Sequence, residues 1–276
     1  RLFNAAFFLY ENEIKAVVHK TLLPNYDIFD EYRYFEPAFE WKVIEFMGKR
    51  LAVTICEDIW DMGKVSLYRV NPMEQLILQS PDIMINLSAS PFDYTHPEDR
   101  KAIIKSNVLK YHLPIIYCNT VGSQTEIVFD GGSIVADNDS NIRMEMKTFS
   151  EDLQYLELQD NGCLNLPILE KAVAFPEIPL DPESLEPELN IDLVYEALKL
   201  GIRDYFSKMG FTKAILGSSG GIDSAVALAI AVDALGAENV HAILMPSAFS
   251  SIHSVEDATQ LSINLGNPYE VISIEN

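Results

Sequence analysis

The sequence predicts an α/β chain in two parts: a sandwich built on large mixed sheets, then the opening of a doubly wound parallel sheet. Three observations carry this. Residues 1–160 alternate short β-rich runs and turns with interleaved helical patterns. Residues 166–190 hold Pro167, Pro176, Pro179, Pro182 and Pro187 among many acids. Proline fixes φ and removes a donor, so this stretch predicts an extended connector. Beyond it, strand, glycine turn, helix, strand, helix and strand follow in βαβαβ order.

In chain order, NAAFFLY, the turn ENE and IKAVVH read as a β-hairpin, and KVIEFMGKRLAVTIC as two strands around Gly48. PDIMINLSA, LPIIYCNTV and EIVFDGGSIVAD supply further strands. MEQLILQS and PEDRKAIIKSNVLKYH read as helices, the second with Glu98 and Asp99 near its start, where the dipole favours acids. Asn190 caps a predicted helix, IDLVYEALKLGIRDYFSKMG, that ends at Gly210. KAILG, the helix SAVALAIAVDALG, VHAILMPS, a helix from Ser254 and YEVISI complete the order.

Of 276 residues, 48% are apolar, enough for real cores. The 41 acidic against 20 basic residues give a net charge of −21, which disfavours nucleic-acid and anionic-membrane partners. Apolar runs such as AVALAIAV (225–232) fall far short of the ~20 residues a bilayer span needs. The cysteines, Cys56, Cys118 and Cys163, are odd in number and sparse, which predicts reduced thiols and a cytoplasmic setting. The chain opens in what reads as a hairpin and stops after a strand-like run, so native sequence is expected beyond both ends.

Two stretches carry chemistry. The turn GSSGGIDS, between strand and helix, points backbone N–H groups at one spot under a helix dipole. Ser218, Ser219 and Ser224 add hydroxyls. Asp223 would repel phosphate unless a cation lies between them, which suits Mg²⁺ with pyrophosphate. The loop lacks the Gly-Lys-Ser/Thr ending of the common P-loop. Ser219-Gly220-Gly221-Ile222-Asp223-Ser224 matches SGGxDS and resembles the PP-loop ATP pyrophosphatases, which split ATP into AMP and pyrophosphate. That resemblance implies an ATP and pyrophosphate site at Gly217, Ser218, Ser219, Gly220, Gly221, Ile222, Asp223 and Ser224. The surrounding segment and MPSAFSSIHSVEDATQLSINLG resemble NAD synthetases more specifically, adding Met245 at an adenosine site, followed by a serine cluster that includes Ser250.

The second stretch, RLAVTICEDIW, sets Cys56 at a strand end before an acidic turn whose backbone N–H groups suit an oxyanion hole. Cys118, within PIIYCN, reads instead as a buried, inert thiol. No Cys-His signature of the papain type is present. With HKTLLPNYDIFDEYRYF, the stretch resembles the nitrilase (carbon–nitrogen hydrolase) superfamily and its Glu-Lys-Cys triad. Lys20 and Cys56 are then catalytic, and Lys20 favours the thiolate and the oxyanion. Tyr26, Phe29, Glu31, Ser88, Ser90 and His96 are implied glutamine contacts, His96 standing where relatives more often carry Lys or Arg. YCNTVGSQTEIVFDGGS is family-like too and reads as structural. The family's general-base glutamate is expected upstream of Arg1, and nicotinate-binding residues after Asn276.

Together the two signatures resemble glutamine-dependent NAD synthetases. Residues 1–165 are expected to form part of a nitrilase-like α-β-β-α sandwich, 166–190 a connector, and 191–276 part of a PP-loop NAD synthetase domain. The resemblance implies amidation of deamido-NAD with ATP and Mg²⁺, ammonia from glutamine, and a homo-oligomer at full length. An ammonia-dependent synthetase with a silent amidase, or a non-catalytic nucleotide-binding fragment, are the alternatives.

Overall fold

The computed structural model describes residues 1–26, 28–62, 68–93, 96–159, 165–167, 169 and 190–274. Most of the proline-rich connector, and Cys163, lie outside the described residues. Contacts divide the chain into two units: Arg1–Val121 with Phe129–Glu188, and Gly122–Val128 with Leu189–Asn276.

In the first unit, β1 (Ala5–Tyr10) and β2 (Glu13–His19) form an antiparallel hairpin through Glu11 and Asn12, both at positive φ. A six-stranded sheet follows. β3 (Ile44–Phe46) and β4 (Lys49–Ile55) are antiparallel around Gly48. β4, β5 (Ile83–Ser88) and β6 (Ile115–Asn119) run parallel, with Ile55 opposite Leu87 and Leu87 opposite Cys118. Beyond β7 (Val121–Gln124) and β8 (Ile127–Asp130), β9 (Ile134–Ala136) and β10 (Ile142–Glu145) close the order β10-β9-β6-β5-β4-β3. The helical patterns become a short α1 (Pro72–Leu76), capped by Asn71, and α2 (His96–Tyr111). Both helices cover one sheet face: Met73, Leu76, Ile104 and Val108 pack with Ala52, Met84, Ile115 and Tyr117. Truncating a side chain buried as Met84 is to Ala costs about 2–5 kcal/mol.

The same register exposes Cys118. Tyr117 points into the helix-covered core, so Cys118 takes the opposite face, where Leu87 is also exposed. Cys118 is therefore not the buried thiol its apolar run predicts.

In the second unit, α3 (Ile191–Met209) starts at Asn190, whose side chain accepts from Leu193 N–H, and stops at Gly210 with φ 74°. Ser123 N–H donates to Asp204, and Lys208 donates to the Ser123 carbonyl. Gly122 has φ 131°, and a Cβ there would come within 2.9 Å of the Asp204 carboxylate. β11 (Ala214–Gly217), β12 (Val240–Leu244) and β13 (Tyr269–Val271) form a parallel sheet joined through α4 (Ile222–Leu235) and α5 (Ile252–Leu265). Leu228, Val240, Ala242, Leu244 and Ala258 form its core. α5 begins earlier than expected because Ser251, accepting from Ser254 N–H, is the cap. Among the described residues, no helix is long and apolar enough to cross a membrane.

Candidate active sites

Cys56 stands at the carboxyl end of β4, where a parallel sheet opens its crevice. It begins a 3-10 turn, Cys56–Ile59, with φ 46°. A left-handed conformation is costly for a side chain with a Cβ and persists where the surroundings over-determine it. Lys20 follows β2 directly and is 1% exposed. Its backbone N–H donates to Asn4 O, and its ammonium meets Glu31 Oε1 at 2.5 Å. Glu31 opens a 3-10 turn of its own, and its other oxygen accepts from Asn4 Nδ2 at 3.2 Å. Lys20, Phe29, Glu31, Cys56 and Ser88 line one cavity of about 470 Å³, together with Cys118.

Of the remaining sequence candidates, Tyr26 and Ser90 are not among the residues that line this cavity. Tyr26 stacks edge-on to Phe29 and donates its hydroxyl to Glu57 Oε2 at 2.8 Å. Ser88 Oγ donates to Asn86 Oδ1, and Asn86 Nδ2 donates to the Cys56 carbonyl. Ser90 is buried away from the cavity lining and receives Asn119: its N–H donates to Asn119 Oδ1, and its carbonyl accepts from Asn119 Nδ2. His96 is the first residue of α2.

Two acids beside the cysteine carry no individual signal in the sequence. Glu57 is buried and accepts from both Tyr26 and Tyr68. Burial raises its pKa, against the two tyrosine hydroxyls and Lys20. Asp58, 1% exposed, accepts from Thr21 N–H, Leu22 N–H and Ile55 N–H. Burial pushes it up to about 6 despite those donors. Their one sequence signal was the acidic turn itself. Further along, Arg100 and Asp130 form a fully buried ion pair, which also receives Asn119.

Burial also raises the Cys56 thiol above its ordinary value. Lys20 opposes that shift, while Glu57 and Glu31 add to it. Lys20 thus pulls toward the thiolate, but burial outweighs it and the net shift is upward.

The glycine loop is built of different materials. Ser218 follows β11, and its N–H donates to Ile243 O. Its side-chain hydroxyl is buried with no hydrogen-bond partner. Gly220 takes φ 81°, and a Cβ there would overlap the Ser254 backbone. Gly221 caps α4. Ser219 Oγ accepts from Gly221 N–H, and Ser224 Oγ accepts from Ser219 N–H and donates to Gly221 O. Ile222 is 75% exposed, and Asp223 lies exposed in the first turn of α4. Gly217, Ser218, Ser219, Met245, Ser250 and Ser254 line a cavity of about 200 Å³. An orphaned hydroxyl, a helix N-terminus and one exposed carboxylate fit a phosphate chain with Mg²⁺, which needs only one or two protein carboxylates.

A carbon–nitrogen hydrolase family model matches residues 1–165, more than half of the chain. The chain belongs to the carbon–nitrogen hydrolase family. An NAD synthase model matches residues 194–276. Along almost its full length this family member is similar to glutamine-dependent NAD(+) synthetases. The identity is 40% to that of Synechocystis sp., with 99% of this chain and 47% of that protein covered. It is 37% to that of Thermotoga maritima, covering 99% and 49%. The glutamine-dependent NAD+ synthetase of Acinetobacter baumannii, solved with adenosine diphosphate, superposes with a TM-score of 0.84 at 36% identity over 99% of this chain and 48% of that one. The chain therefore spans about half the length of the relatives it matches. The expected fold class, nitrilase-like followed by PP-loop, holds.

Proposed function

We propose that this chain carries the glutaminase nucleophile and the ATP-cleaving loop of a glutamine-dependent NAD synthetase. The observation that carries this reading is the buried Lys20–Glu31 pair sharing one cavity with the left-handed Cys56. A structural lysine has no need of such a place, because an ammonium is buried at high cost unless paired. The PP-loop sequence in the second unit, and the relatives named for this reaction, support the fusion.

Residues 1–165 form the glutaminase part, 166–190 the connector and 191–276 the synthetase part. The Cys56 sulfur attacks the carboxamide carbon of glutamine. As the C–N bond breaks, the proton that left the Cys56 thiol passes to the nitrogen, which leaves as ammonia, and water then frees glutamate from the thioester and returns a proton to the sulfur. Lys20 stabilises the oxyanion and stays fixed by Glu31. Phe29 and Ser88 line the glutamine pocket, while Tyr26, Ser90 and His96 stay as glutamine contacts on the motif alone. In the second unit, residues 217–224 bind the pyrophosphate that departs when the nicotinate carboxylate of deamido-NAD is adenylated by ATP. Ammonia then displaces AMP. Asp223 would hold Mg²⁺, which screens the phosphates; Met245 and Ser250 would border the nucleotide. The complete protein works in the cytoplasm as a homo-oligomer.

The test is NAD formation by the full-length protein from glutamine and, separately, from ammonia, with and without Cys56→Ala. The substitution is expected to abolish the glutamine-supported rate and spare the ammonia-supported one. Unchanged glutamine-supported synthesis would sink the amidase assignment.

A further inference from the structure

We propose that Asp58 is a positioning residue that holds Lys20 and Cys56 in register with each other. The inference rests on the glutaminase reading above and adds a residue that touches neither substrate nor the reacting atoms. One carboxylate serves the peptide groups flanking both catalytic residues. Its Oδ1 accepts from Thr21 N–H at 2.9 Å and Leu22 N–H at 2.8 Å, the two residues that follow Lys20. Its Oδ2 accepts from Ile55 N–H at 3.0 Å, the residue before Cys56.

This geometry does two things. It ties the segment after β2 to the end of β4, across some 36 residues of sequence. It also closes a short ring over Cys56, since Ile55 and Asp58 bracket the residue held at φ 46°. A left-handed residue with a Cβ needs such external bonds to persist. Nearby contacts reinforce the Lys20 side: Ala38 N–H donates to Lys20 O, and Trp41 Nε1 donates to Thr21 Oγ1. None of these contacts reaches the Cys56 side. Among the described residues, Asp58 is the side chain that bonds to both flanks.

An asparagine in its place keeps one acceptor oxygen for Thr21 and Leu22 but offers N–H₂ to the Ile55 N–H. The bond on the Cys56 side is lost, and the catalytic pair slips relative to itself while the pocket for glutamine stays. Misplacement by about 1 Å costs on the order of 100-fold in a rate without a matching loss of ground-state binding.

The experiment compares wild type, Asp58→Asn and Asp58→Ala in the full-length protein. Glutamine-supported kcat is expected to fall at least tenfold in Asp58→Asn and further in Asp58→Ala, with glutamine KM changing less than threefold. Ammonia-supported synthesis, which does not use Cys56, is expected to persist and reports that the protein is folded. A purely structural role would lower both rates together, and that result overturns the proposal. So does a KM rise at constant kcat, or a wild-type kcat in Asp58→Asn. If Asp58→Ala does not fold, Asp58→Asn alone decides. Should Cys56→Ala leave glutamine-supported synthesis intact, the glutaminase reading itself has failed; a defect confined to the Asp58 comparison leaves that reading standing.

Discussion

Around Cys56 the charges are side chains and they are buried; in the 217–224 loop the polar groups are backbone N–H groups and hydroxyls, and most face solvent. Lys20 and Asp58 are each 1% exposed, and Glu57 is 7% exposed. Ser219, Ile222 and Asp223 are all exposed. The loop hydroxyls bond to one another and to their own backbone. The difference fits the proposed function. An oxyanion that forms on a neutral amide is stabilised by a fixed positive charge in a dry place, which a buried, paired lysine supplies. A phosphate chain arrives already charged and hydrated, so a helix N-terminus and hydroxyls that exchange partners suffice.

The sharpest way to break this contrast is to remove the buried charge. Lys20→Met keeps the volume and deletes the ammonium, and glutamine-supported turnover is expected to fall on the order of 100- to 1,000-fold. The sign of the accompanying pH effect is fixed. The Cys56 thiol already lies above its ordinary value through burial, and Lys20 is the charge that pulls it back. Without Lys20 the thiol titrates at still higher pH, so at any neutral pH less thiolate is present. Alkylation of Cys56 by iodoacetamide, followed by peptide mass mapping across pH 6 to 10, should shift to the alkaline side and slow severalfold in Lys20→Met. A curve that stays in place would mean that Lys20 does not face the sulfur.

In the loop the corresponding deletion is of backbone freedom rather than charge. Gly220→Ala puts a Cβ on a residue at φ 81° and into the Ser254 backbone. Left-handed strain alone costs about 1–2 kcal/mol, and the overlap adds to it. Ammonia-supported NAD formation should drop at least tenfold while iodoacetamide still modifies Cys56 at the wild-type rate. Full activity in Gly220→Ala would show that the loop's close approach to α5 is dispensable.

The two sites were unequally legible in the sequence. The loop was readable because its parts are contiguous: strand, glycine turn and helix follow one another, and the caps at Asn190 and Gly210 are local chemistry. Cys56 and Lys20 were found by motif, but what holds them was not. Asp58 bonds to residues 36 and 37 positions away, and Glu57 to tyrosines 31 and 11 away. No periodicity records such partners. Cys118 was misplaced for a related reason: LPIIYC is apolar without alternation, so it does not announce which face of β6 the helices cover. The short strands β7 and β10 are not legible in the sequence, because four residues carry too little pattern.

The smallest expected effect is the most discriminating for the loop. Ser218 Oγ is buried with no hydrogen-bond partner, lining the cavity beside Met245 and Ser250. An unsatisfied buried hydroxyl costs about 1–3 kcal/mol, part of which Ser218→Ala should return as stability. Under the proposed function the same hydroxyl donates to a phosphate oxygen, a bond to a charged group worth roughly 1.5–3 kcal/mol, so pyrophosphate should bind about tenfold or more weakly. Calorimetric melting and pyrophosphate titration of Ser218→Ala read the two quantities separately. Around Cys56, deleting a carboxylate should not stabilise, because Glu31, Glu57 and Asp58 already have partners. A lower melting temperature with unchanged pyrophosphate affinity would mean that the Ser218 hydroxyl is an ordinary structural group, and the loop would lose its claim to be a site kept open for a ligand.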